Sequence, residues 1–267
     1  MSVSDLTQSA PPVRGRPRAH LERGKPLDEA VARTLTTDAP WARAAVAPIV
    51  AVLSLAVLIP VVVIATGLPR HGDGTGAYSL IGELLLGVVV LLAARPLAVR
   101  YDGWTSAVGL GRPVRGDGKR VAVWFLAQLG VRFCVAFVLA IAVPHLPHVG
   151  NLTGTKQLGA AGITMLLLAG VVVAPVVEEL AFRGMLLRAL MRRLPYWPAA
   201  GLSSLVFAAL HAPTARSWTG AVAIVLFIYA FGLVQCQLVR RTARLAPAMG
   251  VHAVSNLLTI VAALAAG

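Results

Sequence analysis

Apolar residues come in long unbroken runs along this chain, separated by short polar stretches rich in Arg, Gly and Pro. Runs of at least about 18 residues, nearly free of charge, recur along the chain, each long enough to cross a hydrocarbon core of about 30 Å as a helix. The pattern predicts helices over 44–68, 77–99, 121–143, 158–187, 199–211, 218–239 and 246–265. An all-α fold follows, a polytopic transmembrane helical bundle of about seven helices. The segment 199–211 is short for a full span, and Pro213 discourages its continuation. We expect it to end partway through the membrane or to lie tilted.

Composition sharpens this picture. Hydrophobic residues make up 57% of the chain and charged residues 13%, against about a quarter charged in an ordinary soluble domain. The first 42 residues are polar and rich in Pro and Arg. They read as a disordered basic cytoplasmic tail without the apolar core of a secretory signal, followed by one membrane domain over 43–267. The formal charge of +13 does not argue for nucleic acid, because the basic residues lie between the apolar runs rather than on one surface. It is better explained by topology. Arg14, Arg16, Arg18, Arg23, Lys25 and Arg43 precede the first run, Arg100, Arg112, Arg115, Lys119 and Arg120 lie between the second and third, Arg188, Arg192 and Arg193 close the fourth, and Arg240, Arg241 and Arg244 join the last two. The predicted protein is a multi-pass cell-membrane protein with its N-terminus cytoplasmic and its C-terminus outside. Cys134 and Cys236 lie inside apolar runs and form neither a disulfide framework nor a metal pair of usual spacing. Arg far outnumbers Lys, and Ala and Val abound, which suggests a bacterial genome rich in GC.

Against this apolar background the ionisable residues stand out, since each costs about 2.5 to 3.5 kcal/mol at a helix centre on insertion scales. In "EELAFR", Glu179 and Arg183 are four residues apart and meet on one helix face, whereas Glu178 points about 100° away. Glu179 with Arg183 is expected to be a structural ion pair, leaving Glu178 aimed elsewhere. "FAALH" places Phe207 one turn before His211, and "HAVSN" places His252 and Asn256 on one face. Counted from the cytoplasmic ends of their helices, Glu178 lies about 15 Å deep, His211 about 18 Å, and His252 and Asn256 about 10 to 16 Å. Three helices can therefore bring a carboxylate, two imidazoles and an amide to one buried point in the cytoplasmic half or near the midplane. Such a set suits peptide hydrolysis without an acyl-enzyme. A carboxylate in an apolar pocket can take a proton from water, imidazoles can bind Zn²⁺ or orient that water, and an amide can donate to an oxyanion. Neither H-E-x-x-H nor G-x-S-x-G occurs. Glu83 and Arg132 fall at matching depth and are expected to pair. His145 and His148 beside Pro147 are expected to be solvated, and Arg95 to snorkel to the interface.

These three motifs, in this order on successive apolar segments, resemble the CPBP intramembrane proteases, a family that includes prenyl-protein CAAX endopeptidases and bacterial bacteriocin-processing or self-immunity proteins. The resemblance extends over residues 104–260, where "WTSAVGLGRP" at 104–113 is similar to the family's Gly-Leu segment, with the motif-bearing core at 158–260. It implies an intramembrane endopeptidase acting on a membrane-associated or CAAX-type peptide within the lipid bilayer. Glu178 would activate water with His211 as its partner, and His252 and Asn256 would stabilise the oxyanion or ligate metal. Glu179, Arg183 and Phe207 would support them. Zn²⁺ held by His211, His252 and Glu178 and a metal-independent water remain alternatives. Two other readings compete: a non-catalytic scaffold or self-immunity partner, and a small transporter or proton relay using the same intramembrane Glu and His.

Overall fold

The computed structural model describes residues 27, 46, 73–100, 104–143, 158–215 and 217–266. Six of the seven predicted helices fall among them, and 44–68, His145 and His148 lie outside. Helix α1 is Asp73–Arg100, α2 the short Trp104–Ala107, α3 Asp117–Ala142, α4 Ala160–Met191, α5 Tyr196–Ala209, α6 Trp218–Thr242 and α7 Ala246–Ala266. There is no strand among the described residues. Five of these helices (α1, α3, α4, α6 and α7) are long and apolar enough to cross a membrane. Helix α5 has 14 residues, about 21 Å of rise. It stops short as expected, and a single 3₁₀ turn, Ala212–Thr214, follows it.

The outer surface is apolar, as a lipid-facing surface must be. Leu126, Phe133, Phe137 and Ile141 on α3 and Leu91 and Leu92 on α1 are all exposed. Between helices that bury little surface from lipid, close packing holds the bundle together, and small residues permit it. A Cβ on Gly76 would lie 2.2 Å from the carbonyl oxygen of Gly162, so α1 and α4 touch backbone to backbone. A Cβ on Gly232 would lie 2.7 Å from that of Ser204, so the Ser204 side chain of α5 packs directly on the α6 backbone.

Helix α4 is continuous but not uniform. Two π-helical stretches, Leu168–Val173 and Leu180–Leu186, bracket a single α-helical segment, Ala174–Glu179, that carries both glutamates. Pro175 near the start of that segment has no N–H to donate, and its ring crowds the carbonyl four residues back. The wider turn just before it accommodates both defects.

The arginine-bearing ends gather at one end of the bundle, but Arg188 is not a solvated topology signal. It is 1% exposed, and its guanidinium donates to the carbonyls of Ala107 (3.0 Å) and Ala243 (3.0 Å). Arg188 thus ties the end of α2 to the α6–α7 turn, where Ala243 takes a left-handed conformation with φ 54°. Next to it Asp117 accepts from Arg244 (2.7 Å) and Arg120 (3.0 Å). Leu27, the one described residue of the stretch 1–42, is fully buried, and its N–H donates to the Arg240 carbonyl (2.7 Å).

Replacing Gly76 by Val would force the α1–α4 contact apart, because the atom in the way is backbone and cannot rotate aside. The expected loss is about 1 to 3 kcal/mol or more, read as a lowered thermal unfolding midpoint in detergent. An unchanged midpoint would mean that the two helices do not touch there.

Candidate active site

Glu178 and Glu179 leave the same α-helical segment in different directions, yet both reach His252. The imidazole Nδ1 lies 3.0 Å from Glu179 Oε1, and Nε2 lies 3.6 Å from Glu178 Oε2. A carboxylate can only accept, so Nδ1 carries the hydrogen and Nε2 is left with its lone pair toward Glu178 when the ring is neutral. Glu179 is therefore more than the partner of Arg183. Its Oε1 also accepts from Arg183 Nη1 (3.1 Å) and Gln235 Nε2 (3.3 Å), so donors on α4, α6 and α7 converge on one oxygen. The expected Glu179–Arg183 pair is present, fully buried on both sides. What the helical geometry of α4 alone could not supply is its second task, fixing the ring of His252.

Gln235 was not singled out in the sequence. It is 0% exposed and bridges Glu179 to the Ala248 carbonyl (2.8 Å). The only signal for it was an amide in the middle of an apolar span, which is worth noting in any membrane helix.

His211 closes α5. Its Nδ1 lies 2.8 Å from the Phe207 carbonyl, so this nitrogen donates and Nε2 is free. The ring packs edge-on to Phe207 at 4.8 Å between centroids. Phe207 in turn lies under the Arg183 guanidinium, 4.6 Å from its ring centre. Asn256 Nδ2 donates to the Gly170 carbonyl (2.8 Å) in the first π-helical stretch, which fixes the amide orientation and spends one of its two donors.

These residues face one cavity of about 490 Å³. Glu178, His211, His252, Asn256 and Phe207 line it, as do Ser79 and Glu83 from α1 and Gln128 and Arg132 from α3. The four predicted catalytic positions are therefore brought together. Counted along the helices from the arginine-rich end, the lining runs from about 10 Å at His252 to about 30 Å at Ser79. The cavity thus reaches from the half nearest that end through mid-depth to the far side.

The expected Glu83–Arg132 pair does not form. Arg132 Nη1 instead reaches Thr259 Oγ1 on α7 (3.4 Å), and Glu83 Oε2 is buried without a hydrogen-bond partner. Matching depth put both residues on the same cavity, but depth says nothing about their separation across it.

For Zn²⁺ the chemistry and the geometry diverge. His211 and His252 each have Nδ1 bound to oxygen and Nε2 free, the arrangement that orients metal-ligating histidines. Yet among the described residues no three His, Cys, Asp or Glu side chains gather in a way that could hold a metal ion. The donors as they stand do not make a preformed zinc site.

Together, the five candidate spans and this cavity describe a multi-pass membrane protein with a buried carboxylate–imidazole cluster at its centre. Residues 160–258 match the family model described as type II CAAX prenyl endopeptidase Rce1-like. Over that segment the chain is similar to the CPBP family of intramembrane proteases, and the match supports a CAAX-type endopeptidase in general. No curated protein and no solved structure matched the chain. All four predicted catalytic residues lie inside the matched segment, whereas Glu83, Gln128 and Arg132 lie outside it.

The buried cluster makes a graded prediction. Arg183→Met leaves Glu179 as an uncompensated buried charge and is expected to cost about 3 to 5 kcal/mol. Gln235→Leu removes one of three donors and should cost about 1 to 3 kcal/mol. Denaturant titration of the purified protein in detergent measures both, and the reverse order would contradict the assignment of Arg183 as the main countercharge.

Proposed function

We propose that this protein hydrolyses a peptide bond of a membrane-associated or CAAX-type substrate with water activated by Glu178. The observation that carries this reading is the position of Glu178: it lies on the cavity, 8% exposed, facing the Nε2 of an imidazole whose other nitrogen is held by Glu179. Glu179 already has three donors, while Glu178 faces His252 and open cavity.

The steps follow from these positions. A water between Glu178 and His252 gives one proton to the carboxylate as its oxygen attacks the substrate carbonyl carbon. Nε2 of His211, left free by the Phe207 contact, helps hold the water or, once protonated, donates to the oxyanion. The remaining N–H of Asn256 is a second donor. Glu178 then passes its proton to the departing nitrogen as the C–N bond breaks, which restores the carboxylate. A preset hydrogen-bond frame supports this chemistry, since an imidazole free to rotate would have to be ordered again in each turnover. Zn²⁺ bound by His211, His252 and Glu178 would supply Lewis acidity to the same water, and no step above requires it.

Glu178→Gln and His211→Ala are each expected to lower cleavage by about 10² to 10⁴-fold while leaving the unfolding midpoint near that of the parent. The assay uses purified protein in liposomes with prenylated and unprenylated peptides, and the ratio between the two reads the prenyl requirement. Full activity in both variants would sink the mechanism. Complementation of a deletion strain by Glu178→Gln would favour the binding role instead. About one zinc per chain, lost in His252→Ala, would make the metal-bound water the correct version.

The arginine-rich end is taken to face the cytoplasm. Because α7 runs away from that end, the C-terminus lies outside. A C-terminal reporter that is active only outside the cytoplasm should be active when fused here, and a silent fusion would invert the topology.

A further inference from the structure

We infer that Arg132 is a specificity-determining residue that binds the free C-terminal carboxylate of the peptide substrate. This rests on the protease reading above.

Arg132 lies on α3, outside the segment shared with the family model, and lines the same cavity as Glu178. Its one hydrogen bond among the described residues is the long contact to Thr259 Oγ1 (3.4 Å). The Thr259 hydroxyl hydrogen is engaged with the Ser255 carbonyl (2.9 Å), so its oxygen accepts. No acidic side chain among the described residues pairs with Arg132. An arginine within a membrane-spanning helix is ordinarily paired or faces a polar cavity that will pair it. Its planar fork of N–H groups matches a carboxylate in two parallel hydrogen bonds.

The wall around Arg132 is underused in the same sense. Gln128, one helical turn earlier, is 2% exposed with its Oε1 unpartnered, and Ser255 Oγ is also buried without a partner. Both residues line the same cavity as Arg132. Spacing fits an internal cut. Thr259, which touches Arg132, follows His252 by seven residues, about 10 Å along α7, and an extended chain advances about 3.3 Å per residue. The anchored end therefore lies several residues from the bond at Glu178, so the site reads a terminus without removing the last residue.

A lipid phosphate could present the same chemistry to Arg132, and the experiment separates the two anions. Full-length protein carrying Glu178→Gln, which prevents turnover, is placed in nanodiscs of zwitterionic lipid. Its binding to an apolar peptide with an N-terminal fluorophore is measured by anisotropy, the C-terminus being either a free acid or a carboxamide. The acid should bind about 10- to 100-fold more tightly. Adding Arg132→Gln should bring this ratio to about one while the carboxamide keeps its affinity, and Arg132→Lys should restore part of the preference. Absence of a preference before Arg132 is changed overturns the inference. So does an equal weakening of both peptides by Arg132→Gln, the result expected if the arginine serves lipid or helix packing. Because binding is read without turnover, a failure of the protease reading would show separately as no cleavage by the chain with Glu178 intact.

Discussion

Glu179 Oε1 accepts three hydrogen bonds at full burial, from Arg183, Gln235 and His252. A lone carboxylate moved from water into such surroundings carries a desolvation cost of several kcal/mol even after relaxation, and only close, well-aligned donors offset it. The donors come from three different helices, so satisfying the charge also fixes how α4, α6 and α7 meet. The same satisfaction reaches both imidazoles. His252 is held directly through Nδ1. His211 is held at one remove: Arg183, committed to Glu179, covers the Phe207 ring, and the Phe207 carbonyl receives His211 Nδ1. One buried ion thus sets the tautomer of one ring and braces the backbone that sets the other.

The backbone of α4 takes part in the same arrangement. In a bilayer every peptide group needs a partner inside the protein, and a π-helical stretch alters which carbonyls the helix can satisfy by itself. Both stretches in α4 have a carbonyl taken by a neighbouring helix: Gly170 by Asn256 from α7, and Phe182 by Ser203 from α5 at 3.2 Å. Pro175 is thereby tolerated within a 32-residue span. Its consequence is local, since the one α-helical segment between the irregular turns is the segment that presents Glu178 and Glu179. Irregularity that would weaken a solvent-facing helix here gives α4 specific contacts with two neighbours.

How much of this was legible in the sequence depends on what kind of information each feature requires. Helix identity came from apolar run length, and the six described helices fall close to the predicted ranges. The motif residues came from polar side chains in apolar runs, helped by the resemblance, and Glu178, His211, His252 and Asn256 do meet at one cavity. Periodicity reports which residues share a face of one helix; it does not report which neighbour that face meets. For that reason the Glu179–Arg183 pair could be foreseen while the Glu179–His252 contact could not. Glu83 and Arg132 show the same limit, for equal depth led to a pair where the structure gives two walls of one cavity. Arg188 failed for a different reason. A basic residue at a helix end reads as a topology signal, and only the tertiary structure reveals two carbonyls of distant segments waiting for its guanidinium.

The polar interior is divided into two kinds of surface. Around Glu179, charge meets opposite charge and both helix positions and ring orientations are fixed; Glu179 Oε2, Arg183 Nε and Gln235 Oε1 are also buried there without hydrogen-bond partners, but none of these three residues lines the cavity, so a ligand does not meet them. Across the cavity, Glu83 Oε2, Gln128 Oε1 and Ser255 Oγ are buried without partners, and Arg132 has only a hydroxyl. Each such atom carries a desolvation cost of about 1 to 3 kcal/mol until something meets it. A protein that needed only stability would replace these groups with apolar residues, as lipid and neighbouring helices would accept. Keeping them is reasonable where a polar guest periodically fills the cavity and recovers that cost as binding energy. A peptide backbone drawn into a membrane is such a guest, because its own N–H and C=O groups would otherwise be equally unsatisfied. On the proposed reading the unpartnered wall and a buried peptide answer the same physical need, and the half beside Glu179, already hydrogen-bonded, supplies the frame for the reaction.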